Sequence, residues 1–239
     1  MTKGAEPLPA ERIVRRGVNP YPALLAVLPD APDLLHVQGD AALLEGPAVA
    51  VVGARKASAL GLAMGERLGA GLAREGVVVV SGCALGIDAA AHRGALKFSG
   101  PTVAVLGGGL DVAAPASNRV LAERIARAGC LVSEYPPGTP ALPHHFPARN
   151  RIIAGLARIV VVVEATVRSG ALITARLALA AGREVMAVPG HPLLPSAAGC
   201  NALIADGARA VLTAGDVLEE LTDLPALAEG RTPRGAARR

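Results

Sequence analysis

Tryptophan is absent from this chain, and Tyr21, Tyr135, Phe98 and Phe146 are its only aromatic rings apart from histidine. A surface that grips single strands by stacking many bases needs more rings than that, so any nucleic-acid contact must rest mainly on phosphates. The three cysteines, Cys83, Cys130 and Cys200, are an odd number and contain no CxxC pair. That argues against a disulfide framework and a zinc ribbon, and a reducing cytoplasm is the expected compartment. Long apolar runs are missing too. The longest β-branched run, Ile159 to Val163, falls far short of the roughly 18 residues a membrane helix needs. No leader combines a basic end, an apolar centre and a small-residue cleavage site, so neither membrane insertion nor secretion is expected.

What is present is core material. Of 239 residues, 51% are hydrophobic and 18% charged, with a mean hydropathy of +0.42, a composition that excludes a disordered chain. The length suits one large domain or two small ones. The formal net charge is +4, and part of that excess sits in the tail from Arg231 to Arg239, so charge matters here only where it converges on one site.

From Ala48 onward a short β-branched run repeatedly ends in glycine or a small polar residue and gives way to a helical stretch. The runs are Val49–Val52, Val77–Val80, Val103–Leu106, Leu131–Val132, Ile159–Val163 and Val185–Val188. Between them lie Leu60–Glu75, Asp88–Phe98, Asn118–Ala128 and Gly170–Ala181. Strands apolar on both faces that alternate with helices predict an α/β fold with a mostly parallel sheet covered on both sides. In such a sheet the strand C-termini open onto one edge, where ligands bind, so the loops that close each run are the candidate site. Residues 19–221 are expected to form this domain. Residues 1–18 read as a flexible polar segment, Asn19–Gly46 as short helical turns, and residues 222–239 as a disordered basic tail.

Each loop carries candidate chemistry. Gly53-Ala54-Arg55-Lys56 follows the first run and offers backbone amides and an arginine fork to an anion, but it is neither GxGxxG nor a Walker A loop. Ser81-Gly82 offers a hydroxyl and an amide. Asp88 and His92 lie four apart on one helical face and are able to pair. A serine hydrolase is disfavoured because no GxSxG elbow occurs, and Cys83 reads as a small buried residue. Gly107-Gly108-Gly109 permits close backbone approach. Arg149, Asn150 and Arg151 stand at a helix start that favours an anion, with Phe146 as the one ring placed to stack a base or act as a lid; the alternative for Arg149 and Arg151 is structural pairing with acids such as Glu134 or Glu164. The adjacent His144 and His145 do not form a metal site. Ser169, Gly170 and Thr174 complete the phosphate candidates. Glu164 is either a general base, an orienting acid or a helix cap, and Gly199 to Asn201 reads as turn chemistry.

In combination these blocks resemble the DNA-processing protein A family (DprA, also called Smf). The resemblance lies in Gly53-Ala-Arg55, Ser81-Gly82 through Gly86-Ile-Asp88 to His92, and Ala104-Val-Leu-Gly107-x-Gly109-Leu-Asp111. It continues in Ser133-Glu134, Phe146-Pro-x-Arg149-Asn150-Arg151-Ile-Ile, Glu164-Ala, Ser169-Gly170-Ala-Leu-Ile-Thr174-Ala-Arg176, Val188-Pro-Gly190 and Gly199-x-Asn201, and it runs from about Asn19 to Leu221. It implies an extended Rossmann-like domain in a cytoplasmic homodimer that binds single-stranded DNA. It further implies protection of incoming DNA in natural transformation and loading of the RecA recombinase, with no catalytic residues, cofactor or metal. Gly53, Arg55, Lys56, Ser81, Gly82, Gly107, Gly108, Gly109, Phe146, Arg149, Asn150, Ser169, Gly170 and Thr174 would then hold the DNA. Family members often carry an N-terminal helical module and a C-terminal winged-helix-like module, for which this chain has no room, so it reads as a short or trimmed member. The family's usual aromatic between Asp111 and Pro115 is replaced by Val112-Ala-Ala114. The alternatives are a nucleotide-binding hydrolase of phosphoribohydrolase type, whose PGGxGT-type loop is absent, and a purely protein-binding scaffold.

Overall fold

A computed structural model describes residues 7–112 and 116–224. Among the described residues nine strands form one sheet: β1 Glu11–Arg15, β2 Leu34–Gly39, β3 Ala48–Val52, β4 Val78–Ser81, β5 Thr102–Leu106, β6 Cys130–Ser133, β7 Ile159–Val162, β8 Glu184–Ala187 and β9 Arg209–Ala210. The spatial order is β1-β2-β6-β5-β4-β3-β7-β8-β9. From β6 to β9 every neighbouring pair is parallel, and the antiparallel β1 and β2 extend the sheet beyond β6. This is a Rossmann-like, doubly wound arrangement. Winding runs outward from β3 to β6, then returns so that β7 lies on the other side of β3. The switch point is therefore the junction of β3 and β7.

Eight α-helices among the described residues cover the sheet: α1 Ala23–Ala26, α2 Ala59–Arg74, α3 Ile87–Lys97, α4 Arg119–Ala128, α5 His145–Leu156, α6 Gly170–Ala180, α7 Ala198–Ala205 and α8 Ala214–Asp223. Side chains alternate across a strand, which explains why β-branched runs suit the sheet's centre. Ala50, Val52, Val80, Val103 and Val162 pack with Leu25, Ile152, Ile153 and Ala175 on one face. Val49, Val51, Val79 and Val161 pack with Leu68, Leu72, Ile87 and Val217 on the other. A third group beside it joins Ala104, Leu106 and Leu131 to Leu121 and Ile125 of α4. No helix among the described residues is long and apolar enough to cross a membrane.

The six anticipated strands and four anticipated helices all form, with ends moved by one or two residues. Two expectations fail near the start of the chain. Glu11–Arg15, expected to be flexible, pairs antiparallel with β2, and the contact of Glu11 with His36 (2.6 Å) holds the register. The segment looks polar because it is an edge strand that buries only Val14. Leu34–Gly39, expected in helical turns, is a strand because it pairs with β6. At the other end, Thr222 and Asp223 close α8 rather than begin a tail, and Thr213 with Asp216 forms the capping box that starts that helix. Residues 225–239 of the expected tail and residues 113–115 lie outside the described residues, as do residues 1–6.

Candidate functional site

A cleft of about 430 Å³ opens at the C-terminal edge of β3, between the loops that follow β3 and β7 and the first turns of α5 and α6. Its walls include Gly53, Arg55, Asp88, Phe146, Arg149, Asn150, Ser169, Gly170 and Thr174. Eight of the fourteen DNA-holding candidates thus meet in one place, with Asp88 beside them. The cleft falls at the switch point because the loops leaving β3 and β7 diverge to opposite faces there and leave a gap.

Local chemistry explains each wall. Ser58 caps α2 by accepting a hydrogen bond from the Gly61 amide (3.0 Å). Glu164, at the end of β7, in turn accepts from the Ser58 amide (3.0 Å) and hydroxyl (2.9 Å). Of the three roles open to Glu164, its carboxylate therefore serves as a helix-capping brace that joins the two loops flanking the switch point. Ser169 caps α6 by accepting from the Ala171 amide (3.2 Å), which leaves the Gly170 amide and the positive end of the α6 dipole at the cleft wall. Arg55 is exposed and its guanidinium lies 5.0 Å from the centre of the Phe146 ring, so the two residues flank the cleft as a cation–π pair.

Arg149 is placed differently from what its position at a helix start suggests. It is only 3% exposed, and its Nη1 donates to the carbonyls of Gly82 (2.7 Å) and Val105. Its guanidinium is a buried cation beneath the cleft, tied to the ends of β4 and β5. A side chain on Gly82 would meet that guanidinium at 2.5 Å, which is why glycine stands there. Asp88, also buried, accepts from the Gly82 amide (3.2 Å). Burial pushes its carboxyl above the usual range, while the Arg149 charge and the Gly82 amide pull it down. Arg149 Nε has no hydrogen-bond partner.

Other predicted groups are spent inside the fold. Ser81 is fully buried and donates to the Val51 carbonyl (2.7 Å). Gly107, Gly108 and Gly109 are buried beneath residues 133–146: Ser133 donates to the Gly108 carbonyl (2.7 Å), the Gly109 amide donates to Thr139 (2.9 Å), and the His145 ring contacts the Gly107 carbonyl (3.0 Å). None of these four lines the cleft, and neither do Gly82 or Lys56, which is exposed beside Arg55. His145 stacks on Tyr135 with ring centres 4.0 Å apart. Arg151 makes a two-pronged bridge to Glu134 (2.9 and 2.6 Å), so it follows the structural alternative and not the anion-binding one. Cys83 is buried and its thiol is pushed up to about 12, mainly by desolvation, which disarms it as a nucleophile.

Asp88 and His92 do not pair. His92 Nδ1 meets Thr102 Oγ1 at 2.7 Å, and that hydroxyl donates to the Val79 carbonyl (2.8 Å). The hydroxyl's single proton is thus committed, so the histidine must be the donor. Its Nε2 is then a buried acceptor without a partner, and the ring's pKa falls to about 3, chiefly through burial and then through the charges of Arg149 and Arg93. Asn201 clasps the Gly190 backbone with both ends of its amide (2.9 and 3.1 Å), the turn chemistry expected of it. The cleft residues that sequence reasoning passed over include the apolar Pro143, Pro147, Ile153 and Ile173, together with Asp88 as a wall. Among the described residues no group of His, Cys, Asp and Glu is arranged to hold a metal ion.

Fold and cleft together define a Rossmann-like α/β protein with an open cleft at its topological switch point. More specifically, the chain belongs to the DNA recombination-mediator protein A family, whose model matches residues 12–222. It is 49% identical over 200 residues to DNA processing protein DprA of Streptococcus pneumoniae, covering 84% of this chain and 71% of that protein. The X-ray structure of DprA from that organism superposes with a TM-score of 0.84 at 47% identity, over 87% of this chain and 74% of the other. A structure of DNA processing protein A from Helicobacter pylori, described for its single-stranded DNA binding mode, superposes with a TM-score of 0.81 at 29% identity, over 90% of this chain and 96% of the other. The chain spans about half the length of several other curated relatives, 49% in Mycobacterium tuberculosis and 54% in Escherichia coli.

Proposed function

We propose that this chain binds single-stranded DNA through its phosphates at the switch-point cleft and acts, without catalysis, as a recombination mediator. In the full reading it works in the cytoplasm as a homodimer, protects incoming DNA during natural transformation and loads RecA onto it. The observation that carries the proposal is the composition of the cleft. Arg55, the Ser169–Gly170 start of α6 and Asn150 surround it, donors suited to a phosphate at a helix N-terminus. Phe146 is the one ring in its wall, so base-edge reading should be weak and backbone contact dominant. Membership of a recombination-mediator family supports the same reading.

The hydrolase alternative finds less support, because the acids at this edge are engaged. Glu164 braces Ser58, Glu134 pairs with Arg151, and Asp111 accepts from the Gly138 amide (2.9 Å). Asp88, the carboxylate in the cleft wall, is held by Gly82.

The test is fluorescence anisotropy of a labelled single strand across a salt series, with duplex and AMP as competitors. The expected result is binding that weakens steeply with salt, since counterions are released in proportion to the phosphates contacted. Duplex and AMP should compete poorly. No binding at low salt, or turnover of AMP, would overturn the proposal.

A further inference from the structure

The two helical layers differ sharply in charge. On the α1, α5, α6 and α7 side, Arg149 is buried, Arg151 is paired with Glu134 and Asp30, and Arg176 is the one exposed charged residue on those helices. On the other side, α2, α3 and α4 run parallel from the cleft edge, because each follows a parallel strand, and α3 packs against both neighbours. Arg67, Arg93 and Arg124 lie on these helices, all exposed, at successive positions across the layer. Counted from the helix starts at Ala59, Ile87 and Arg119, and at about 1.5 Å per residue, they sit at similar depth, about 12, 9 and 8 Å along. A second row, Arg74, Lys97 and Arg127, follows further along the same helices. Among the described residues, none of Arg67, Arg93 and Arg124 is in an ion pair, whereas Lys97 pairs with Glu66. With helices packed about 8–10 Å apart, the first row spans about 20 Å of surface.

Charge also gives this face a boundary. The acidic α8, with Asp216, Glu219, Glu220 and Asp223, packs against α2. Arg209 forms ion pairs there with Glu219 and Glu220. A polyanion approaching the layer is repelled from its α8 end and drawn toward α3 and α4. The entry point is adjacent, since Ala84 and Asp88 at the start of α3 and Arg55 before α2 already line the cleft.

The geometry points to a second contact zone for the same strand. Single-stranded DNA that leaves the cleft crosses the α2–α3–α4 face, and Arg67, Arg93 and Arg124 contact its phosphates. This inference rests on the DNA-binding reading of the cleft and adds a path to it. It makes affinity depend on strand length, because a short oligonucleotide can fill only the cleft.

The experiment compares the full chain with a variant carrying Arg67→Gln, Arg93→Gln and Arg124→Gln, after circular dichroism melts establish equal folding. Each is titrated with a single strand just long enough for the cleft and with one several times longer, in a salt series. For the long strand the variant's log–log salt slope should fall by about 2, at roughly 0.7 per lost phosphate contact. Binding of the short strand should stay within twofold. Lysine at the same three positions should restore the long-strand slope. Arg55→Ala, in contrast, should weaken both strands, so failure of the cleft and failure of the path give different patterns. The path is overturned if the triple variant keeps the wild-type slope on the long strand, or if it loses short and long strands equally. It is overturned as well if neither strand binds the wild-type protein.

Discussion

The C-terminal edge of this sheet has two halves built from the same kind of sequence and put to opposite uses. In the half behind β4 and β5, the turns Ser81–Gly82 and Gly107–Gly109 are filled by the chain itself. A side chain on Gly109 would lie 2.7 Å from the Pro136 carbonyl and 3.0 Å from the Gly138 amide. In the half behind β3 and β7, a side chain on Gly170 would meet nothing within 4 Å. Both glycines end a strand-to-turn motif, but one admits backbone and the other leaves open space. A glycine at a strand end signals close approach; what approaches is decided by whichever segment lies across it, here residues 133–146.

Arg149 stands at the seam between the halves and should give the largest effect. Arg149→Ala strands the Gly82 and Val105 carbonyls and leaves Asp88 buried without its nearest cation, so chemical denaturation should show a loss of about 3–5 kcal/mol. A loss under about 1 kcal/mol would mean that the closed half is looser than its hydrogen bonds indicate.

His92, beneath the closed half, should make stability depend on pH. The folded ring takes a proton only near pH 3, whereas an unfolded histidine takes one near 6.5. Its contribution is complete above about pH 6.5 and is lost as pH falls toward 3, by at most about 1.4 kcal/mol per unit. Urea midpoints compared at neutral and mildly acid pH should fall for the wild type and flatten in His92→Asn.

The two glycines test the comparison directly. Gly109→Ala must displace backbone and should cost about 1–3 kcal/mol, while Gly170→Ala, at an open helix start, should stay within about 0.5 kcal/mol. Thermal melts of the pair would dissolve the contrast if the two shifts were equal. The smallest stability effect belongs to Arg55→Ala, also within about 0.5 kcal/mol because the side chain is exposed. Its effect should appear in DNA binding instead, as a salt slope lower by about 0.7.

These contrasts also mark how far the sequence could be read. The central strands were legible because a strand buried on both faces writes a continuous Val and Ile run. The edge was legible in outline, since parallel winding collects every such run's closing residues there. β1 and β2 were not, because their identity comes from partners distant in the chain: Leu34–Gly39 is a strand through β6, residues 130–133. Ser81 lies away from the cleft, and Arg149 reaches its wall with the guanidinium turned into the fold, for a related reason. Spacing puts them at the site edge, but only packing decides whether a polar group faces the solvent or another strand's carbonyl. The Arg151–Glu134 bridge and the Asn201 clasp were within reach because each satisfies a charge or a turn close at hand.

The brace between Glu164 and Ser58, 106 residues apart in sequence, ties together the two loops that flank the cleft. Both loops of the switch point are fastened to the same carboxylate, so neither would have to be immobilised on entry of the proposed strand. A ligand then forfeits little protein flexibility on binding, and a modest set of phosphate contacts can translate into affinity with few losses to loop ordering.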